Sequence, residues 1–299
     1  MITKAVIPAA GLGTRLLPIT KSQPKEMLPL GSKPCIQYIV EELGRAATQD
    51  ILFVTGQKKR AIEDHFDTDV ELNRMLKMGN YGDLLDEIDF EALGQTFFYT
   101  RQRYPAGLGD AISYGRDFTA NEPFYVALGD SVIYEERPAA LLERMTEVFR
   151  ERECSFVIAV EEVEPEDVRK YGIVSIGPAE GDDIHPITDL VEKPPVGMAP
   201  SNLAIAARYI FDSSIYDALQ STLPDSRGEI QLTNAIRILL KQGKCGYAVR
   251  MTNGQRRYDI GNMESYYKAF LDFALRDERY GYSLRQYINR NLGKEATWR

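Results

Sequence analysis

The chain has 299 residues, a formal net charge of −8 and 44% hydrophobic residues, which fits a globular protein with a sizeable buried core. The acidic balance and the lack of a basic block argue against a nucleic-acid-binding surface. No apolar run approaches the roughly 20 residues that a membrane span needs, and the opening MITKAVIPAA predicts a first strand and not a signal peptide.

The rare residue types also limit the chemistry. The three cysteines, Cys35, Cys154 and Cys245, show neither disulfide nor metal-binding spacing, which favours a reducing cytoplasm. The two histidines, His65 and His185, stand far apart and outside any metal pattern, so we expect no histidine-based mechanism.

Short apolar runs alternate with helical segments over the first half of the chain, a pattern typical of βαβ units. The predicted strands cover residues 4–8, 50–55, 96–101, 123–128 and 154–161. The predicted helices between them cover residues 35–46, 60–66, 109–116 and 138–150. Because parallel strands need such crossovers, we expect a Rossmann-like α/β/α arrangement. The acidic segment 78–94 predicts a helical insertion or mobile lid, or equally a solvated surface face.

Beyond about residue 163 the strand-like segments follow one another without long helices. They cover residues 172–176, 187–192 and 204–211, and they predict an antiparallel addition that extends the first sheet. Helices predicted over 230–241, 262–277 and 283–291 close the chain. We therefore expect a three-layer α/β fold with a mixed, mainly parallel sheet and C-terminal helices.

The first strand runs directly into the loop AAGLGTR, at the sheet edge where α/β proteins bind ligands. Gly11 and Gly13 would let backbone N–H groups approach an anion, and Ala9 and Ala10 would keep that approach open. The loop matches neither common phosphate pattern, because Leu16 replaces the last glycine or alanine of the dinucleotide fingerprint and the P-loop Gly-Lys pair is missing. A plain strand-to-helix turn is the alternative.

The loop opens a longer motif, GLGTRLLPITKSQPKEMLP at 11–29, which resembles the signature of the sugar-1-phosphate nucleotidyltransferases. Its PKEML segment is most similar to the bacterial UTP–glucose-1-phosphate uridylyltransferases. Further segments follow in that family's order: RQRYPAGLGDAI (101–112), ALGD (127–130), YGIV (171–174), VEKP (191–194), SNLAIAARYIF (201–211), GEIQLTNAI (228–236) and YDIG (258–261). The resemblance covers nearly the whole chain. It implies a nucleotidyltransferase fold and the transfer of a uridylyl group from UTP to glucose 1-phosphate.

The resemblance places the nucleotide contacts in the N-terminal half. Arg15 would lie against the triphosphate, where its planar fork of donors suits phosphate oxygens, and Lys25 would contact the α-phosphate. Glu26 would serve either the ribose or a neighbouring basic residue. Gln102 and the backbone of Gly107 would face the uracil, since an amide offers both a donor and an acceptor. A solvent-facing Gln102 is the alternative.

Two aspartates are implied as Mg²⁺ ligands. Asp130 ends the apolar strand FYVALGD, and Asp259 lies in YDIG after a further strand-like segment. Mg²⁺ prefers carboxylates together with phosphate oxygens. Without the resemblance, a turn or a helix cap would be the more common role for an aspartate after a strand.

The sugar phosphate is expected to bind in the C-terminal half. Glu192 would accept hydrogen bonds from sugar hydroxyls, and the adjacent Lys193 would bind the sugar's phosphate. Gly172 and Asn202 resemble further sugar contacts. Taken alone, a Glu-Lys pair before proline is usually an exposed surface feature.

The resemblance also implies an organisation. Residues 1–261 would form the nucleotidyltransferase domain, with a nucleotide half up to about 163 and a sugar-binding half over about 164–261. Residues 262–299 would form a C-terminal helical segment that serves a homodimer or homotetramer. The expected partners are UTP, glucose 1-phosphate and the product UDP-glucose, with neither nucleic acid nor a membrane.

Two positions depart from the family pattern. Asp110 stands where histidine is commoner, and its charge would be unfavourable near a triphosphate unless it binds Mg²⁺ or a hydroxyl. Ser131 replaces a frequent second aspartate and so removes a possible support for the metal.

Three other functions remain open from the sequence. A dinucleotide-dependent dehydrogenase is disfavoured by Leu16 and by the lack of a plausible proton donor near a nicotinamide. A glucose-1-phosphate thymidylyltransferase differs only by a ribose hydroxyl and a base methyl group. A non-catalytic regulator that binds a nucleotide sugar would be expected to lack Lys25, Asp130 or Asp259, and all three are present.

Overall fold

A mixed sheet of nine strands forms the centre of the protein in the computed structural model, which describes residues 1–181 and 183–292. Within these residues the strands, in chain order, are β1 (Lys4–Ala9), β2 (Pro29–Leu30), β3 (Lys33–Pro34), β4 (Asp50–Thr55), β5 (Thr96–Arg101), β6 (Phe124–Ala127), β7 (Ser131–Tyr134), β8 (Phe156–Glu162), β9 (Gly172–Ile176), β10 (Ile184–Glu192), β11 (Leu203–Phe211), β12 (Gly246–Arg250) and β13 (Arg256–Asp259). The order across the large sheet is β5-β4-β1-β6-β11-β8-β12-β10-β9. Strand β2 pairs with β3, and β7 pairs with β13.

The helices connect these strands and cover the sheet. Those in the described part of the chain are α1 (Cys35–Arg45), α2 (Arg60–Phe66), α3 (Val70–Met78), α4 (Gly82–Ile88), α5 (Leu108–Ser113), α6 (Arg116–Thr119), α7 (Ala140–Glu151), α8 (Ser214–Ser221), α9 (Leu232–Lys241), α10 (Met263–Arg276) and α11 (Gly281–Leu292). Helix α10 begins with a capping box, in which Asn262 and Ser265 each accept a hydrogen bond from the other's backbone N–H.

The central strand β1 shows how the layers form. Its neighbours β4 and β6 both run parallel to it, and its side chains alternate between the two faces of the sheet. Ala5 and Ile7 pack into one apolar core with residues of α1, α7 and α10. Val6 packs into a second core with residues of α5, α8 and α9. Helices therefore cover both faces of the sheet, which confirms the expected α/β fold with three layers.

Strand β11 joins the parallel part of the sheet to the remainder. It runs antiparallel to both β6 and β8, and all of its residues are buried. Strand β12 then runs parallel to β8, while β10 and β9 complete the sheet in antiparallel pairs. The expected antiparallel addition is present, but β11 enters the sheet between β6 and β8 instead of extending its edge.

Several elements differ from the sequence-based expectation. The single helix predicted over 109–116 is two short helices, α5 and α6, and helix α8 was not predicted, because eight residues give only a short window for a periodic pattern. The acidic segment 78–94 is largely helical, with α4 followed by a 3-10 turn at Phe90–Leu93. Residues 293–299 of the predicted C-terminal segment lie outside the described residues. No helix in the described ranges is long and apolar enough to cross a membrane.

A buried ion pair connects α1 to β11. Arg208 is fully buried and binds Glu42 through two hydrogen bonds, Nε to Oε1 at 3.0 Å and Nη2 to Oε2 at 2.7 Å. Its third nitrogen, Nη1, donates to the carbonyl of Ala207 at 3.0 Å. Ala207 has a φ of +61°, and its carbonyl also accepts from Leu128 at the end of β6. The pair thus supports the segment that leads into Asp130.

Candidate active site

The loop after β1 forms one wall of a cleft of about 420 Å³, the first cleft. Its lining includes Ala10, Gly11, Gly13, Arg15, Glu26, Gln102 and Gly107. Gly13 has a φ of +67°, which glycine adopts without strain, and Thr20 Oγ1 donates to its carbonyl at 2.7 Å. Ala9 is buried at the end of β1 and is not among the lining residues. The structure therefore brings the predicted nucleotide contacts together, with Ala9 behind them.

A second cleft of about 400 Å³ lies over the C-terminal half of the sheet. Its lining includes Gly172, Glu192, Lys193, Tyr209, Thr233, Arg257 and Asp259. Asn202 is not among these residues, and its amide donates to Glu162 Oε1 at 2.7 Å. Three of the four predicted sugar-phosphate contacts thus share one cleft, and the contact predicted for Asn202 stays a prediction.

The two clefts meet at a common set of charged residues. Arg15, Lys25 and Asp130 line both of them, and Glu229 also borders both. Ligands in the two clefts would therefore approach each other over two cations and two carboxylates. Such a junction suits two phosphate groups that react with one another.

Lys25 and Asp130 form an ion pair at this junction, between Nζ and Oδ2. Burial would lower the pKa of the Lys25 ammonium, but the charges of Asp130, Glu26 and Asp259 outweigh burial and raise it. Burial would raise the pKa of Asp130, but the charge and hydrogen bond of Lys25 lower it overall. Lys25 therefore stays protonated, and Asp130 stays ionised, near neutral pH.

Asp259 faces the same junction from the ribbon of β7 and β13, where it pairs with Ser131. Burial, and then repulsion from the charge of Asp130, raise the pKa of Asp259. Its Oδ1 accepts from the N–H of Gly261 at 2.7 Å. The buried hydroxyl of Ser131 has no hydrogen-bond partner among the described residues. A cation at this position would relieve the repulsion of the carboxylates.

The donor set at the junction limits which metal could bind. The described residues contain no group of three or more acidic, histidine or cysteine side chains that could hold a metal ion. A metal would thus rest on two carboxylates, those of Asp130 and Asp259, and on oxygens of a ligand. Mg²⁺ is usually bound in this way, since it keeps few protein ligands and takes others from substrate phosphates.

Glu26 lines the first cleft but is only 1% exposed. It pairs with Lys59 through Nζ and Oε2 at 2.6 Å. Burial raises the pKa of Glu26, and the charges of Lys59 and Lys25 oppose that rise. Of the two roles expected for Glu26, pairing with a basic residue is present in the structure, and contact with a ribose stays a prediction. The sequence did not indicate Lys59, which lies 33 positions away.

The structure assigns Asp110 a partner that was not expected. The amide Nε2 of Gln102 donates to Asp110 Oδ2 at 2.7 Å and to the carbonyl of Gly107 at 3.1 Å. Gly107 has a φ of +95°, and a Cβ there would stand 2.8 Å from the carbonyl oxygen of Ile230. The carboxylate of Asp110 therefore accepts a hydrogen bond from an amide, and Asp110 does not line the first cleft.

The residues of VEKP lie together in the second cleft. Lys193 Nζ is 3.0 Å from Glu192 Oε1, and Thr233 Oγ1 donates to Glu192 Oε2 at 3.2 Å. A Cβ at Gly172 would stand 2.9 Å from Ile205 and 3.0 Å from Thr233, so a larger residue would crowd this wall. Glu192 and Lys193 therefore offer the cleft a carboxylate and an ammonium side by side, a pairing that suits a ligand with both hydroxyl and phosphate groups.

Arg257 is a lining residue of the second cleft that the sequence did not indicate. Its guanidinium is nearly buried, pairs with Glu161 and Asp259, and lies over the ring of Tyr171 at 4.6 Å. Burial would lower its pKa, but the charges of Glu161 and Asp259 raise it. In the sequence, only its position two residues before Asp259 hints that Arg257 belongs to the site.

The chain is similar to known proteins over nearly its whole length. The family model for nucleotidyl transferases matches residues 4–275. The UTP–glucose-1-phosphate uridylyltransferase of Staphylococcus epidermidis is 43% identical over 288 residues, which cover 96% of this chain and 97% of that protein. A UTP-bound UGPase from Acinetobacter baumannii superposes with a TM-score of 0.87 at 35% identity, covering 97% and 99% of the two chains. A UDP-glucose pyrophosphorylase complexed with UDP-glucose superposes with a TM-score of 0.83 at 38% identity, covering 93% and 100%.

Proposed function

The chain belongs to the nucleotidyl transferase family, and from that premise we propose that it is a UTP–glucose-1-phosphate uridylyltransferase. It transfers the uridylyl group of UTP to α-D-glucose 1-phosphate, giving UDP-glucose and pyrophosphate. The observation that carries this proposal is the shared wall of the two clefts, which Arg15, Lys25 and Asp130 all line. The names of relatives that match almost the whole chain support the choice of uridylyl over thymidylyl transfer.

UTP would occupy the first cleft. Its base would lie by Gln102 and Gly107, and its phosphates would follow the loop at Gly11 and Gly13 toward Arg15. Backbone N–H groups and a guanidinium together suit a triphosphate, because both donate hydrogen bonds to phosphate oxygens. The α-phosphate would then reach Lys25 at the junction.

Glucose 1-phosphate would occupy the second cleft. Glu192 would accept hydrogen bonds from sugar hydroxyls, and Lys193 would direct the phosphate toward the junction. An oxygen of that phosphate attacks the α-phosphorus, and the bond from the α-phosphorus to the bridging oxygen of pyrophosphate breaks. The attacking oxygen is already anionic, so no general base is needed, and neither His65 nor His185 lines either cleft.

The residues do most of their work by position and charge. Lys25 would bind the α-phosphate as negative charge shifts to the leaving group, and Arg15 would hold the pyrophosphate that departs. Asp130 and Asp259 would hold Mg²⁺, which neutralises charge on phosphate oxygens when it is bound. The ion pair of Lys25 with Asp130 would have to loosen as both side chains turn to their ligands.

Pyrophosphate release tests the proposed activity. Purified protein is supplied with Mg²⁺ and glucose 1-phosphate, and UTP, dTTP, CTP and ATP are compared in separate reactions. We expect the highest kcat/KM with UTP. A preference for dTTP would replace the proposal with thymidylyl transfer, whereas UDP-glucose binding without turnover of any triphosphate would favour a regulatory protein.

The metal requirement gives a second prediction. Excess EDTA is expected to abolish pyrophosphate release, and added Mg²⁺ to restore it. Replacing Asp259 with Asn should raise the Mg²⁺ concentration for half-maximal activity by about tenfold or more, because one of two protein carboxylates is lost. Asp189→Asn is the matched control, since Asp189 lies outside both clefts and pairs with Arg237. An unchanged Mg²⁺ requirement in the Asp259 variant would remove that residue from the metal site.

Two further expectations belong to the same proposal. The cysteines in the described residues are free, which suits the reducing cytoplasm as the place of the reaction. A homodimer or homotetramer would use exposed apolar side chains on the C-terminal helices, among them Tyr267, Leu271, Tyr282 and Tyr287. Size-exclusion chromatography with light scattering measures this state directly.

A further inference from the structure

The amide of Gln102 is held from one side by two groups that can only accept hydrogen bonds. A carboxylate oxygen of Asp110 and the carbonyl oxygen of Gly107 both accept hydrogen bonds from Nε2 of Gln102. Amide nitrogen and oxygen are often assigned from their surroundings, but in this case chemistry allows one orientation. The opposite orientation would set the amide oxygen against two other oxygens.

This orientation leaves a defined group for a ligand. Gln102 lines the first cleft, and its Oε1 accepts no hydrogen bond from any described residue. Asp110 itself does not line that cleft but borders a separate cavity of about 290 Å³. Asp110 thus has no direct access to a nucleotide base, and any effect on the base must pass through Gln102.

Pyrimidine bases differ at the atom that such an acceptor would meet. Uracil and thymine carry a hydrogen on N3, whereas cytosine presents a bare N3 acceptor beside its amino group. We propose that Asp110 is a positioning residue: it fixes Gln102 as a hydrogen-bond acceptor and thereby selects bases with a donor at N3 over cytosine. The inference rests on the proposed function, because it takes the first cleft as the nucleotide site.

A carboxylate is a suitable group for this task. Its hydrogen bond to the amide is charge-assisted, and such bonds are stronger than those between neutral groups. Without it, only the Gly107 carbonyl would hold the amide, and the rotated amide could donate to the N3 of cytosine. Loss of Asp110 should therefore weaken binding of UTP and relieve the discrimination against CTP.

Equilibrium binding tests this role without the need for turnover. Dissociation constants for UTP, dTTP and CTP are measured by calorimetry on the full chain, in the wild type and in D110A, D110N and S113A. The amide introduced by D110N would still offer an oxygen to Gln102. Ser113 is an exposed residue of the same helix, and its hydroxyl donates a hydrogen bond to the backbone carbonyl of Asp110, not to the carboxylate. Thermal unfolding of each variant separates loss of fold from loss of selectivity.

We expect D110A to lower the ratio of CTP to UTP dissociation constants by about tenfold or more. UTP and dTTP should weaken alike, since they share the N3–H edge, and D110N and S113A should keep most of the ratio. An unchanged ratio in D110A, or equal weakening of all three nucleotides, would overturn the inference while leaving the proposed function intact. Failure of the wild type to bind UTP and to release pyrophosphate would overturn both.

Discussion

Replacing Lys25 with Met is expected to lower kcat for pyrophosphate release by about a thousandfold, with little change in the KM of either substrate. Lys25 lines both clefts, as Arg15 does, so its ammonium lies where the phosphates of the two proposed substrates would meet. Removing one preorganised donor to a developing charge typically costs about 10²–10³ in kcat, and this donor is also charged. Steady-state kinetics with varied UTP and glucose 1-phosphate measures the effect.

The matched control is Lys21→Met, four positions earlier. Lys21 is exposed and lines neither cleft, so its removal should leave kcat within about twofold. Equal kinetics in the two variants would show that Lys25 has no special role. A rise in KM at constant kcat would instead assign Lys25 to ground-state binding.

The raised pKa of Lys25 also limits how the reaction rate can depend on pH. Because the folded pKa of Lys25 is raised above its ordinary value of 10.5, the ammonium is protonated at all lower pH values. Its contribution to stability is fully present below that ordinary value and is lost only as pH rises through the higher folded pKa. Lys25 should therefore cause no alkaline decline in kcat between about pH 7 and 9.

Replacing Glu42 with Gln is expected to lower the free energy of unfolding by about 3–5 kcal/mol, the largest stability effect that we expect from a single polar side chain. The change leaves the guanidinium of Arg208 buried without a countercharge. Urea unfolding followed by circular dichroism measures the loss as a lower midpoint at an unchanged slope.

The neighbouring residue provides the control for that measurement. Glu41 pairs with Lys33 and Arg45 nearer the surface, so Glu41→Gln should cost less than about 1 kcal/mol. Because a buried pair can be replaced by apolar residues, Glu42→Leu with Arg208→Met should recover most of the loss. A Glu42→Gln variant as stable as the Glu41→Gln control would contradict the importance of the pair.

Local patterns allowed much of the sheet to be predicted. Strands β4 and β5 have the predicted boundaries because short apolar runs flanked by polar segments are encoded within a few residues. The position of β11 is different in kind. Its place between β6 and β8 depends on contacts with residues distant in sequence, and no local pattern specifies which strands become its neighbours.

The residues of the candidate site also differ in whether local sequence could predict them. Gly11, Arg15 and Lys25 could be predicted because they stand in one continuous motif beside a strand end. Lys59 and Arg257 could not, since a lone basic residue in a sequence looks like a solvated one until the fold supplies its buried partner. Asp110 differs from both groups. The sequence indicates that an aspartate at this position is unusual, but its partner Gln102 depends on a turn at Gly107 that one sequence does not reveal.

The insertion of β11 has a mechanical consequence. Backbone hydrogen bonds run from β6 through β11 to β8, so the walls of both clefts rest on one continuous platform. A hinge that swung one half of the molecule away from the other would have to break this ladder. We therefore expect entry and exit of the proposed substrates to depend on loops and on small side-chain movements above the sheet, with little change in the distance between the two clefts.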